Sequence, residues 1–349
     1  MDKRLRKAGV RPSKSASKLA RALAETAPPA PATADTAPAP ATAPAAAPKK
    51  KHRTRPVGEP VTAGDHVLAY VRAQRDALVE LDPAVRQDVP DSVHRMRVAT
   101  RRLRSAFRAF RSVLDREATD PVGTDLKWLA GELGLDRDQE VLAERLTSAL
   151  DALPPALVTG PVRDRLTAWS EARHSGAHGR LTAVLDSHRY LALLDALDAL
   201  LADPPLRKKA AAEPREVLTG AVRKDVRKLS GLVDRALDLP PGDDRDLALH
   251  DARKKAKRTR YAAEAATPAL GGPAKALTAS VKSLQGLLGD HQDSVMARRT
   301  LRELSAVAHA AGENTFTYGL LYGREERRAE IAEAALPEAW ASVAKDTAL

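Results

Sequence analysis

The sequence predicts an all-α protein behind a disordered N-terminal arm. Three observations carry that expectation: apolar residues recur at three- and four-residue spacings after Val61, alternating Val- and Ile-rich runs are missing, and Gly and Pro fall mainly between the periodic stretches. With 349 residues, 43% of them hydrophobic, the chain holds enough apolar material for one large or two modest cores.

Taken in order, residues 1–60 form the arm. Residues 26–48 are almost wholly Ala, Pro and Thr, a composition that removes backbone donors and offers no side chain large enough to build a core. Basic clusters flank that stretch at Lys3 to Lys7 and Lys49 to Arg55. Helical periodicity then runs through His66–Leu81, Met96–Leu114, Leu218–Leu237 and Val281–Leu301. Pro90-Asp91-Ser92 and Glu213-Pro214 read as helix starts, and Leu239-Pro240-Pro241-Gly242 and Gly271-Gly272-Pro273 as turns. Helices of about 15 to 25 residues joined by short turns are expected.

A duplication organises the helical part. Val93 to Arg104 aligns with Leu249 to Arg260 at an offset of 156, and Leu126 to Gly134 aligns with Val281 to Gly289 at an offset of 155. Two motifs repeated in the same order at nearly the same separation predict two four-helix bundles of similar plan, about 61–205 and 214–349, related by a pseudo-twofold axis.

Charge is segregated. Residues 1–60 hold 13 Lys and Arg against 4 Asp and Glu, which leaves 44 against 42 in the remaining 289 residues. Any cationic site in the helical part must therefore come from clustering. On a helix, His94, Arg97, Arg101, Arg104, Arg108 and Arg111 fall within one arc of about 100°, beside an apolar face of Met96, Leu103, Phe107, Phe110 and Leu114. Residues 93–111 contain seven Arg and no acid. A solvated helix face normally interleaves acids at i±4, so the unrelieved row, repeated by His250, Arg253, Lys257 and Arg260 with Lys254 at its margin, points to a polyanion. No Tyr, Trp or His is interleaved for base stacking, which favours a ligand made of phosphate alone.

The paired His-plus-basic helices, together with Leu284-Gln285-Gly286-Leu287-Leu288-Gly289-Asp290, resemble the CHAD family, the conserved-histidine α-helical domain, over residues 61–335. The resemblance implies two four-helix bundles around a basic central channel, binding of inorganic polyphosphate and association with polyphosphate granules. It implies phosphate contacts by His94, Arg97, Arg101, Arg104, Arg108, His250, Arg253, Lys254, Lys257 and Arg260, with Lys127 and Lys282 as further members. Asp251 stands where Arg95 does, and Glu264 where Arg108 does, so the two walls are expected to be unequal.

Many members of that family carry a CYTH triphosphatase domain, but no ExExK motif or strand pattern occurs here, and a stand-alone, non-enzymatic binding module is expected. Cysteine is absent, which excludes disulfides, thiolate metal sites and cysteine nucleophiles. No P-loop, dinucleotide fingerprint, GxSxG or HExxH is present, so no cofactor is expected. His174 and His178, spaced i, i+4, lack a third ligand and fall short of a metal site, and Asp290-His291-Gln292-Asp293 reads as a helix start. Without an apolar run long enough to span a bilayer or a signal-peptide core, a cytoplasmic protein is expected, at polyphosphate granules by the resemblance. The competing reading is a nucleic-acid-binding or nucleoid-associated protein acting through the basic arm.

Overall fold

A computed structural model describes residues 59–174 and 177–347, apart from the side chains of residues 135–138 and 173–178. Residues 1–58 of the expected arm and the side chains of the His174/His178 pair lie outside what is described. The described residues form eleven α-helices and no strand. They are α1 (Ala63–Arg86), α2 (Ser92–Ala109), α3 (Arg116–Glu132), α4 (Leu135–Asp151), α5 (Val162–His174) and α6 (Ala177–Asp186). The chain continues through α7 (His188–Ala202), α8 (Pro214–Asp238), α9 (Asp243–Leu270), α10 (Gly272–Ala310) and α11 (Phe316–Lys345).

Local chemistry sets most of the boundaries. Thr62 caps α1 by accepting from the Asp65 backbone N–H, while the Asp65 carboxylate accepts from the Thr62 N–H, a reciprocal capping box. α2 begins after Asp91 and α8 at Pro214, the two starts expected from the sequence. Gly271, at φ 68°, closes α9 and opens α10 with no linker between them.

The expected lengths are exceeded in the second half, where α9, α10 and α11 run 28, 39 and 30 residues, and undershot by α5 and α6 at 13 and 10. For α10 the cause lies at one dipeptide. Leu133-Gly134 separates α3 from α4, whereas its repeat, Leu288-Gly289, lies inside unbroken α10. Asp290 to Asp293 consequently sits in the middle of a helix, which corrects the reading of that segment as a helix start.

One apolar cluster joins the two sequence copies. Leu78, Met96, Leu103, Phe110 and Leu126 of the first half share it with Leu229, Ala252, Ala256, Val281 and Leu284 of the second. The small side chains of α9, including Ala252, Ala256 and Ala262, permit its close approach to α2. A second cluster docks the α4–α5 hairpin on the far halves of α10 and α11, through Leu146, Leu150 and Val162 against Leu301, Tyr318 and Leu321. The first copy thus reaches across to the second.

Candidate functional site

Because α2 and α9 pack on each other through their apolar faces, the adjacent basic arcs turn into one hollow, a cavity of about 470 Å³. α2 contributes Arg101, Arg104, Ser105 and Arg108. From α9 come His250, Arg253, Lys254, Lys257, Arg258 and Tyr261. The docked α4 supplies Gln139, Val141, Leu142 and Arg145, and α10 closes the remaining side with Gln292, Asp293 and Met296. Eight Lys and Arg therefore face one carboxylate, a balance that leaves a strong positive potential in a partly desolvated space.

The titratable groups register that potential. Desolvation, followed by Arg108, Arg258 and Arg101, pulls the Arg104 guanidinium down to about 10, and its Nε is buried without a hydrogen-bond partner. Arg258 is lowered as well, by desolvation first and then by Arg108. Burial lowers the His250 imidazole; Lys254 and Arg253 add to the shift, while a 2.5 Å hydrogen bond between Nδ1 and Gln292 Oε1 opposes it. Asp293 is raised by burial against the pull of Arg253 and Arg145, the nearer Arg253 contact being 4.0 Å. Lys254 pairs with Asp251 at 2.5 Å, and Arg145 with Glu325 at 2.7 Å. Only part of the positive charge is answered by the protein itself.

Of the twelve residues singled out in the sequence, the cavity gathers Arg101, Arg104, Arg108, His250, Arg253, Lys254 and Lys257. The other five lie outside its lining. His94, Lys127 and Lys282 are exposed elsewhere, on the first turn of α2, on α3 and on α10. Arg97 is 8% exposed and lies over Gly134, where an added Cβ would come within 2.7 Å of its guanidinium. Arg260 donates to Gln285 and Glu264 at 2.9 Å and stacks 4.7 Å from the centroid of the Tyr261 ring. Glu264, the departure from the first copy, neutralises Arg260 and also pairs with Arg102, so the two walls differ as their sequences do.

Sequence reasoning missed Arg258 and Arg145. Arg258 is about 80° around α9 from His250, so the arc facing the cavity is rotated away from Arg260, and helical phase alone does not say which edge of an arc faces inward. Arg145 comes from α4, outside the repeated motifs, and only the docking of the hairpin brings it near. In the sequence the Leu-Gly step reads merely as part of the repeat. Arg97 packs so closely on Gly134 that only a glycine leaves room for it, whereas its counterpart Arg253 lies 3.8 Å from where a Cβ on Gly289 would stand, an ordinary contact, so the close glycine–arginine packing belongs to the first copy alone.

Behind the cavity, His291, 2% exposed, places Nε2 3.3 Å from Asp246 and 3.1 Å from Glu333. The outer oxygens of those carboxylates meet Arg298 at 3.2 Å and Arg245 at 3.0 Å. Two arginines balance two carboxylates, which makes this an internal ion-pair network.

Together these features define an all-helical protein in which two sequence copies meet at a cationic cavity. The sequence model of the CHAD domain matches residues 69–302, and the chain belongs to the CHAD domain family. It is similar to the uncharacterized proteins MT2285 and Rv2226 of Mycobacterium tuberculosis, each 41% identical over 281 residues and 79% of this chain. The chain spans about half the length of those relatives, 53%. Among solved structures, PptA from Streptomyces chartreusis aligns with a TM-score of 0.66 at 23% identity, covering 80% of this chain and 99% of that one. The CHAD domain from the plant Ricinus communis aligns with a TM-score of 0.58 at 24% identity, covering 85% and 96%. Both share the helical fold. No helix among the described residues is long and apolar enough to cross a membrane.

Proposed function

We propose that this chain binds inorganic polyphosphate in the cavity between α2, α4, α9 and α10, without chemical turnover, and that this binding associates it with polyphosphate granules in the cytoplasm. The observation that carries the reading is the composition of the lining, eight Lys and Arg to one carboxylate, Asp293, with Asp251 and Glu325 answering Lys254 and Arg145 from outside it. Among the described residues lining the cavity, Tyr261 is the one Phe, Tyr or Trp; it is buried with its ring beneath Arg260, and the His250 ring is tied to Gln292 through Nδ1, so the lining offers little for base stacking. Arginine forks on α2 and α9 match phosphate oxygens in pairs, and lysines add mobile charges. As in other CHAD proteins by resemblance, the site works as a channel through which the chain enters with release of its counterions.

Titration of the full chain with polyphosphate tests this. Ala at Arg101, Arg104 and Lys257 together is expected to weaken binding roughly a hundredfold or more, since hydrogen bonds to charged groups contribute about 1.5 to 3 kcal/mol each. Circular dichroism would show the helices retained. Wild-type affinity in that variant overturns the assignment. Deleting residues 1–58 separates the competing reading: loss of polyphosphate binding with the arm would move the activity to the arm.

A further inference from the structure

The cavity is not the end of the basic surface. A second cleft, of about 460 Å³, opens between α2 and α8, lined by Arg111, Lys228 and Lys255 together with Asp225, Gly231 and Leu232. Ser105, Arg108 and Arg258 line both spaces. Five Lys and Arg in this second cleft face a single carboxylate, and that one, Asp225, is held by Lys255 at 2.5 Å. Arg111 is fixed by a 3.1 Å bond from its Nε to the Arg108 carbonyl, while Lys228 is exposed on α8 with no carboxylate partner among the described residues. Arg108 and Arg258, which line both spaces, repel each other at the junction, and Asp225 and Asp251, already paired with Lys255 and Lys254, offset only part of the Arg258 charge. A short phosphate chain held in the first cavity gains nothing from Arg111 or Lys228, but a long one that continues past Arg108 meets both.

From this continuity we infer that the cleft between α2 and α8 is a second phosphate subsite, with Arg111 and Lys228 as its contacts, through which the protein selects long linear polyphosphate over short oligophosphates. The inference rests on the polyphosphate reading of the first cavity. Two binding segments on one ligand raise the effective concentration of the second contact, so affinity grows with chain length until both spaces are filled.

Affinities of the full chain for inorganic tripolyphosphate, long-chain polyphosphate and single-stranded RNA, measured at several salt concentrations, test it. With R111A/K228A, long-chain affinity is expected to fall about tenfold, and the log–log salt slope to shallow by about 1.4, at about 0.7 for each phosphate that is no longer neutralised. Tripolyphosphate affinity stays within twofold of wild type, and R111K/K228R restores long-chain binding. Both residues are exposed, and circular dichroism checks that the variants fold. Unchanged long-chain affinity in R111A/K228A overturns the inference. So does an equal loss for tripolyphosphate, which would place both residues in the first cavity, and so does RNA that binds as tightly as long polyphosphate with the same loss. The triple variant at Arg101, Arg104 and Lys257 judges the other reading separately: tripolyphosphate binding that survives it sinks the first cavity, whereas the length dependence alone decides the second.

Discussion

At His250 the imidazole is held neutral by burial and by its cationic neighbours, and becomes charged at little cost beside an anion. Its pKa lies below the ordinary value of 6.5, through burial first and then Lys254 and Arg253. A depressed folded value means that this group's share of stability is present above about pH 6.5 and is lost as pH falls through the folded pKa, because the unfolded chain takes the proton first. Phosphate reverses the electrostatics, so binding takes up a proton and affinity should rise as pH falls from about 8 to about 6. Asp293, raised by burial, sits in the cavity as the carboxylate that repels an anion. In H250Q the pH dependence should flatten, and D293N should bind more tightly at neutral pH; polyphosphate titrations across that range check both, and an unchanged slope in H250Q removes the histidine from the linkage. His250 was legible from its place at the head of a basic row. Asp293 was not, because its segment reads as a helix start and its facing toward Arg253 arises only from the register of α10.

The α4–α5 hairpin shows what a helix can contribute that its own sequence does not announce. α4 has an ordinary amphipathic pattern, yet Arg145 reaches Glu325 of α11 through Nε at 3.0 Å and Nη2 at 2.7 Å, and Ser294 of α10 at 2.9 Å. Glu325 is 1% exposed and also accepts from Arg328 at 2.6 Å. Breaking such a pair leaves a buried charge without its partner, at a cost of about 3 to 5 kcal/mol. E325A should therefore lower the unfolding midpoint by several degrees and loosen the side of the cavity that α4 forms, and calorimetry with a polyphosphate titration measures the two effects. No change in either would show that the pair is idle. α2 and α9, by contrast, were legible in advance, since their 3.6 period, the repeated basic row and, in α2, the lack of acids are local properties. Met96, Leu103 and Phe107 are buried as their helical phase required, whereas α2 stops at Ala109, short of the expected Leu114, and Phe110 and Leu114 are buried through the turn that follows it. The Leu-Gly step shows the limit: one dipeptide ends a helix at 134 and passes unnoticed at 289, because the neighbours packed around it decide.

Across the whole molecule, near-neutrality outside the first 60 residues conceals a sharp partition. Acids occupy ion pairs such as Arg75 with Asp198 and Arg165 with Glu313, while the cavity keeps its cations in excess. The fold class and the meeting of two basic rows were visible in the repeat; the route by which α4 crosses to α10 and α11 was not, since it depends on residues about 150 positions apart in sequence. A ligand bound only to the folded state at about a hundredfold excess over its Kd stabilises by about 2.7 kcal/mol. Saturating polyphosphate should accordingly raise the thermal midpoint in one transition shared by both copies, and an early transition that ignores the ligand would show that they melt apart.

The Gly271 junction sets a geometric condition on all of this. With no spacer between two of the longest helices, any tilt of one is handed directly to the other, so the row holding His250 and the segment holding Gln292 cannot drift independently. Swapping that glycine for a residue averse to left-handed backbone would be felt first as slack in the grip on phosphate, well away from the bend itself.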